Sequence, residues 1–142
     1  MYARTATGIA ALAVLLGAGS ATSAPGYEID VNSRAVIAAD HTVTTSGTYR
    51  CTGGSEAAPV YVSASVKQGG VSISGNSQKA VCDGQVHSWE LKAQGFRDIR
   101  LEAGAATVEG HLVQIKPTSG LIPIETTFLA SSQQQVELLP QD

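Results

Sequence analysis

The stretch VTTSGTYRC at residues 43–51 decides the fold class. Its odd-numbered positions hold valine, threonine, glycine, Tyr49 and Cys51, whereas its even-numbered positions hold threonine, serine and arginine. Side chains of a β-strand point alternately to opposite faces, so this two-residue period indicates a strand with one face in the core. The stretch therefore predicts a half-buried strand that carries a buried tyrosine and a cysteine.

Cys51 and Cys82 are the only two cysteines of the chain. An intramolecular disulfide between them would close a loop of about 32 residues and stabilise the fold by roughly 3.5 kcal/mol in the chain-entropy model. An intermolecular bridge and two free thiols are the alternatives. A metal or redox role would need a CxxC pair or nearby histidines, which this spacing does not provide.

The order of these residues differs from that of an antibody-type domain. There a cysteine and a tryptophan precede the tyrosine–x–cysteine strand. Here Tyr49 and Cys51 come first, and the only tryptophan, Trp89, follows Cys82. The SGTYRC segment alone is therefore no evidence for that class. Trp89 shares its parity with Leu91, which favours a place in the core over a ligand platform.

Short strand patterns fill the rest of the chain. Residues 60–67 alternate valine or alanine with tyrosine, serine or lysine, and two glycines predict a hairpin turn into residues 71–74. Residues 106–116 form a run rich in β-branched side chains, which Pro117 ends. No segment has a useful helical period. The pattern predicts an all-β chain of seven to nine strands in an antiparallel sandwich or barrel.

The N-terminal segment has the features of a secretion signal. Arg4 is its only charge, and an apolar run at residues 9–19 is followed by small residues. A membrane-spanning helix needs about 20 apolar residues. We therefore predict a signal helix within residues 1–23 and cleavage after Ser23, with an uncleaved membrane anchor as the alternative. Residues 24–142 form one domain.

The charge of that domain excludes several partners. Of the nine basic side chains, Arg4 lies in the signal, which leaves eight against twelve acidic ones and a net charge of −4. The charges are scattered singly, without the basic stripe that nucleic-acid binding requires or a polybasic patch for membranes. We expect a secreted, extracellular protein.

Three segments carry a resemblance to a family: DHTVTTSGTYRCTG at 40–53, VYVSASVKQG at 60–69 and AVCDGQVHSW at 80–89. Over roughly residues 29–139 the chain resembles small secreted actinobacterial proteins that are classified as a domain of unknown function. The resemblance implies a signal peptide, a single immunoglobulin-like sandwich and one disulfide, and it implies no activity. His41 departs from the family pattern, because a glycine is usual in that turn.

No arrangement of residues predicts catalysis. His41, His87 and His111 lie in a turn and two separate strands, without the short spacing of a zinc site. The chain has no GxSxG elbow for a serine nucleophile. We therefore predict no metal, no cofactor and no enzymatic activity.

The remaining function is binding, with an extracellular protein, a glycan or a small molecule as the partner. The alternatives are a small-ligand carrier and a secreted protease inhibitor, whose reactive segment would be the long loop at residues 118–127. Tyr61 is the candidate anchor for a partner, because alternation places it on the outer side of the 60–74 hairpin. The other side chains predicted on that side are Ser63, Ser65, Lys67, Ser72 and Ser74.

Overall fold

The computed structural model describes residues 20–95, 98–117 and 124–141. In these ranges the chain is all-β, with ten strands and no helix. The strands, in chain order, are β1 (Ser20–Ser23), β2 (Glu28–Val31), β3 (Arg34–Ile37), β4 (Val43–Arg50), β5 (Val60–Gln68), β6 (Val71–Ser74), β7 (Gln78–Lys79), β8 (His87–Ala93), β9 (Gly104–Pro117) and β10 (Ile124–Pro140).

The strands form one sheet in the order β2-β4-β3-β10-β9-β5-β6, with β8 paired to β4, β7 to β5 and β1 to β10. The expectation of a purely antiparallel sheet was wrong, because β10 pairs with β3 in parallel. A single bridge between Gly75 and Ala93 links the β6 end of the sheet back to β8. The sheet therefore closes on itself at one corner.

The core lies between two layers of this sheet. Strands β2, β4 and β8 supply Ile29, Tyr49 and Trp89 to a cluster that strands β5 and β9 complete with Val62 and Leu112. A second cluster surrounds Val43, Val66 and Val108. The layers approach closely at Gly110 of β9, where a Cβ atom would lie 3.1 Å from Val31 of β2.

Steric crowding explains why the SGTYRC segment has a glycine at position 47. A Cβ atom on Gly47 would overlap the carbonyl oxygen of Asp30 and lie 2.8 Å from Nε1 of Trp89. That indole nitrogen donates a hydrogen bond of 3.1 Å to the Asp30 carbonyl. Trp89 is buried, as predicted, and it lies against β4 at a position where only glycine leaves room.

The predicted disulfide is present as an intramolecular bond between Cys51 and Cys82. Cys51 follows β4 directly and is fully buried, whereas Cys82 lies in the segment between β7 and β8. Tyr49 is also buried, as its parity with Cys51 predicted. The bond therefore ties one end of β4 to the chain that leads into β8.

The turn at His41 has a backbone conformation that favours glycine. His41 has a φ of 68°, and it is the one non-glycine residue with positive φ among those described. Glycine adopts this region without the steric cost that a Cβ atom brings. The imidazole Nδ1 lies 3.0 Å from the carbonyl oxygen of Leu101, so the side chain gains a contact that glycine would lack.

One other expectation needs correction, and a second lies mostly outside the described residues. The 118–127 segment was expected to be a loop, but Ile124–Thr127 already belong to β10, and residues 118–123 lie outside the described ranges. The predicted signal helix likewise lies outside them, apart from its last residues, which form β1. No helix within the described part of the chain is long and apolar enough to cross a membrane.

Candidate binding face

The side chains of β5 point as the sequence predicted. Val60, Val62, Ala64 and Val66 are buried, whereas Tyr61, Ser63 and Ser65 are half-buried and Lys67 is exposed. The turn at residues 69–70 then leads into β6, where Ile73 is buried and Ser72 and Ser74 are exposed. Tyr61 therefore lies on the side of the sheet that faces away from the core.

Strands β9 and β10 extend this side of the sheet. Ser63 pairs with His111, and His111 pairs with Ser131. Two residues further along β5, Ser65 pairs with Glu109, which in turn pairs with Gln133. In the other direction Tyr61 and Phe128 both pair with Val113. We define the outer face by Tyr61, Ser63, Ser65, Lys67, Glu109, His111, Phe128, Ser131 and Gln133.

A row of polar contacts crosses the outer face. Lys67 on β5 donates a hydrogen bond of 2.8 Å to Oε2 of Glu109 on β9. The other carboxylate oxygen of Glu109 lies 3.7 Å from Nε2 of His111. Nδ1 of His111 lies 2.9 Å from the hydroxyl of Ser131 on β10. The row therefore fixes the rotamers of side chains from three strands.

The electrostatics of the row follow from these distances. The Lys67 ammonium bonded to Glu109, with the nearby His111 as a smaller contribution, holds the pKa of the Glu109 carboxyl below its ordinary value. The negative charge of Glu109 is thus matched by the positive charge of Lys67. The centre of the outer face is polar and close to electrically neutral.

An aromatic contact lies beside the polar row. The rings of His111 and Phe128 are 5.2 Å apart and tilted by 39°. Phe128 is 66% exposed, which is high for a large apolar side chain next to a half-buried aromatic residue. Tyr61 is the third ring on this side of the sheet. The arrangement offers apolar contact area at one end and hydrogen-bonding groups at its centre.

Strand β1 borders the outer face along β10. Thr22 pairs with Ser131, and a depression of about 170 Å³ lies between β1 and the polar row. Its lining includes Ala21, Thr22, Glu109, His111 and Ser131. The depression could take about five waters or a small polar side chain.

The Ser131–His111–Glu109 contacts invite comparison with a serine hydrolase. In the hydrolase triad the imidazole Nε2 contacts the serine, and Nδ1 contacts the carboxylate. Here the two nitrogens are exchanged, and the Glu109–His111 distance is too long for a hydrogen bond. Ser131 also lies within a regular strand, not on the sharp strand-to-helix turn of a nucleophile elbow. The geometry of the row is better suited to ordering side chains on the outer face than to activating a nucleophile.

The three histidines lie in separate places with separate partners. His41 contacts Leu101 in its turn, His87 contacts the Asp83 carboxylate at 2.9 Å, and His111 belongs to the polar row. The backbone N–H of Gln85, followed by His87, holds the pKa of Asp83 below its ordinary value. Among the described residues, no cluster of three or more metal-ligating side chains occurs.

Sequence reasoning predicted the outward direction of Tyr61 but did not place Ser131, Glu109 and Phe128 beside it on the outer face. The pairing of His111 with Ser131 follows from the register of the β9–β10 hairpin, which spans the undescribed residues 118–123. A β-bulge between Phe128 and Ala130 shifts that register by one residue. Simple alternation along the sequence therefore could not have placed these side chains together.

Comparison with family models gives a match over residues 25–141 to a family described as a family of unknown function, DUF6299. The chain belongs to the DUF6299 family. The match covers all strands from β2 to β10 and begins two residues after the end of β1. A comparison with curated protein sequences finds no match.

Proposed function

We propose that this DUF6299 protein is an exported binding module that contacts an extracellular protein through its outer face, without catalysis. The observation that carries the proposal is the polar row beside the exposed Phe128 and the half-buried Tyr61. Ordered polar groups beside rigid aromatic rings are the composition of protein-binding surfaces, because such side chains lose little entropy when they bind.

Export is supported by two features of the chain. The disulfide between Cys51 and Cys82 would persist in an oxidising compartment. The family domain begins at Pro25, next to the predicted cleavage after Ser23. The mass of the exported protein tests this point: a product that begins at Ala24 agrees with the proposal, and one that retains residues 1–21 contradicts export by signal cleavage.

The strand order supports an immunoglobulin-like sandwich as the scaffold. Strand β4 lies between β2 and β8, as the second strand of such domains lies between the first and fifth. Strand β9 lies between β5 and β10, and β6 extends the same layer at the edge of β5. The disulfide is a departure, because it joins Cys51 to the segment before β8 instead of joining the two layers at β9.

A photocrosslinking experiment tests the binding face. A benzophenone amino acid replaces Tyr61 in one variant and Glu90, an exposed residue of β8 on the other layer, in a control variant. Both are illuminated in cultures of the source organism. A discrete protein adduct formed from position 61 and not from position 90 supports the proposal. Adducts of equal yield from both positions contradict it.

The identified partner then allows a quantitative test. Tyr61→Ala should weaken binding by about 1–2 kcal/mol if Tyr61 is an anchor, while the melting temperature stays close to that of the parent because the side chain lies outside the core clusters. If the folded variant binds the partner with unchanged affinity, Tyr61 is an ordinary surface residue and does not anchor the partner.

Absence of catalysis is tested at Ser131. A fluorophosphonate probe labels activated serines, so we expect labelling no faster than in the His111→Ala variant. If Ser131 is labelled rapidly and His111→Ala abolishes the labelling, Ser131 and His111 act as a catalytic pair, which contradicts the proposal.

Two alternatives remain as rival hypotheses. A small-ligand carrier would use a depression of about 370 Å³ that His41, Gln94 and Arg100 line at one end of the domain. Native mass spectrometry of the exported protein would detect its ligand. A protease inhibitor would need residues 118–127 as its reactive segment, and four of these already belong to β10.

A further inference from the structure

Strand β1 occupies one edge of β10. The pairing is antiparallel and runs from Ser20 opposite Gln133 to Ser23 opposite Ala130. The next residue, Ala24, donates a backbone hydrogen bond of 2.9 Å to the carbonyl of Leu129. We call the covered part of β10, residues 129–133, the edge slot.

The occupant of the edge slot lies outside the family domain. Residues 20–23 precede the predicted cleavage point, and the family match begins at Pro25. Among the side chains that the structure describes, the first one buried in a core cluster is Ile29 of β2, with Tyr27 packed against it. Cleavage after Ser23 would therefore remove the strand that fills the slot and leave the core side chains in place.

The vacated slot would present hydrogen-bonding groups. Leu129 accepts from Ala24 on this side of β10, and Glu137 donates to the carbonyl of Ser33 on the same side. Because backbone groups alternate along a strand, Ser131, Gln133 and Gln135 also direct their N–H and C=O groups to this side. An edge of this kind readily pairs with another extended chain.

The slot also lacks the charged side chains and prolines that block strand addition. No charged residue occurs between Glu125 and Glu137, and Pro140, at the far end of β10, is the one proline in residues 124–140. Lysine and proline are the usual means by which edge strands avoid pairing. The occupant seen here has the sequence SATS, which is extended, uncharged and small.

We propose that the exported protein accepts an extended segment of a partner polypeptide, with small uncharged side chains, as an antiparallel strand in the edge slot. The inference rests on the signal cleavage of the proposed function. Backbone hydrogen bonds would supply the affinity, as in other cases of strand addition. The residue that takes the place of Thr22 would lie beside the depression at His111, so a small polar side chain fits there best.

The test uses the exported product of the full chain and a labelled peptide of sequence GSATSAP, which copies residues 19–25. Fluorescence anisotropy measures its binding. Gln133→Pro removes one N–H that points into the slot, and an edge strand tolerates proline there. Gln135→Pro makes the same change on the same side of β10, two residues beyond the part that β1 covers.

We expect saturable peptide binding that Gln133→Pro weakens at least about tenfold and Gln135→Pro leaves within about twofold. The amides of Ser131 and Gln133 in the unmodified product should gain hydrogen-exchange protection when the peptide is added, which tests the slot even if a proline variant does not fold. Absent saturation at millimolar peptide, equal weakening by both prolines, or unchanged exchange would overturn the proposal.

Three further outcomes separate this proposal from the alternative occupant and from the proposed function. A stable dimer of the exported product whose Ser131 and Gln133 amides are protected without peptide would make a second copy the occupant and overturn the proposal. A mass that retains residues 1–23 would overturn both the cleavage and the open slot. Peptide binding without a crosslink from position 61 would support the slot and contradict the outer face alone.

Discussion

The Tyr49 hydroxyl accepts a hydrogen bond of 2.9 Å from the backbone N–H of Val81. The next residue, Cys82, is bonded to Cys51, which lies two residues after Tyr49 on the same side of the chain. Two contacts from the end of β4 thus hold two adjacent residues of the segment before β8. The alternation in VTTSGTYRC places both groups on one face, which is why the tyrosine and the cysteine occur at this spacing.

The first prediction concerns the coupling of these two contacts. Tyr49→Phe removes the hydrogen bond and should lower the free energy of unfolding by about 1 kcal/mol. In a background with Cys51→Ala and Cys82→Ala, which itself costs roughly 3.5 kcal/mol, the same change should cost less than half as much. Without the disulfide, the segment that contains Val81 is less restrained, so the hydrogen bond from its N–H to the Tyr49 hydroxyl contributes less. Urea unfolding of the four proteins measures this, and simple additivity would contradict it.

The second prediction concerns Gly47. Gly47→Ala should destabilise the domain by about 3 kcal/mol or more, since the new methyl group would overlap the backbone of Asp30 and crowd Trp89. Gly70→Ala is the matched control, because no atom lies within 4 Å of its Cβ position. Thermal unfolding and the tryptophan emission of Trp89 report the change. Equal melting temperatures for the two variants would show that the strands can separate at Gly47 without cost.

The sequence predicted the parts of this fold that depend on local alternation. The burial of Tyr49 and Trp89 and the outward direction of Tyr61 follow from the two-residue period alone. The parallel pairing of β3 with β10 could not be predicted, because it joins residues about 100 positions apart in the chain without a turn to indicate it. The beginning of β10 was missed because its residues are exposed on both faces, which removes the hydrophobic period.

The outer face shows the same division. The outward direction of Tyr61 could be predicted because the residue stands among serines on a clearly alternating strand. The contact between His111 and Ser131 depends on the register of a hairpin with a bulge, and a register is set by tertiary packing. Single-sequence patterns carry little information on it.

The third prediction concerns the turn at His41. His41→Ala keeps the positive φ but loses the contact between Nδ1 and the Leu101 carbonyl, so it should cost about 1–2 kcal/mol. His41→Gly loses the same contact but relieves a backbone strain of about 1 kcal/mol. The free energy of unfolding of the glycine variant should therefore lie within about 1 kcal/mol of that of the parent protein. An alanine variant as stable as the glycine variant would contradict strain at this position.

The fourth prediction concerns the pH dependence of the polar row. Lys67 and His111 lower the pKa of Glu109 in the folded protein, so the ionised carboxylate stabilises the fold above the unfolded-state pKa. This contribution falls as the pH drops from about 4.5 through the lower, folded-state pKa. Glu109→Gln should therefore lower the melting temperature at pH 7 and have progressively less effect below about pH 4.5.

Glu125→Gln, which changes an exposed carboxylate on β10, is the matched control. Its effect should be small at both pH values, because an exposed charge gains little on folding. The comparison isolates the contact of Glu109 with Lys67, since both substitutions remove one negative charge and keep the size of the side chain. Salt should reduce the effect of Glu109→Gln at pH 7, because the Lys67–Glu109 pair is partly exposed. A difference between Glu109→Gln and the parent protein that stays constant from pH 7 to pH 3 would show that Glu109 acts through packing, without a contribution from its charge.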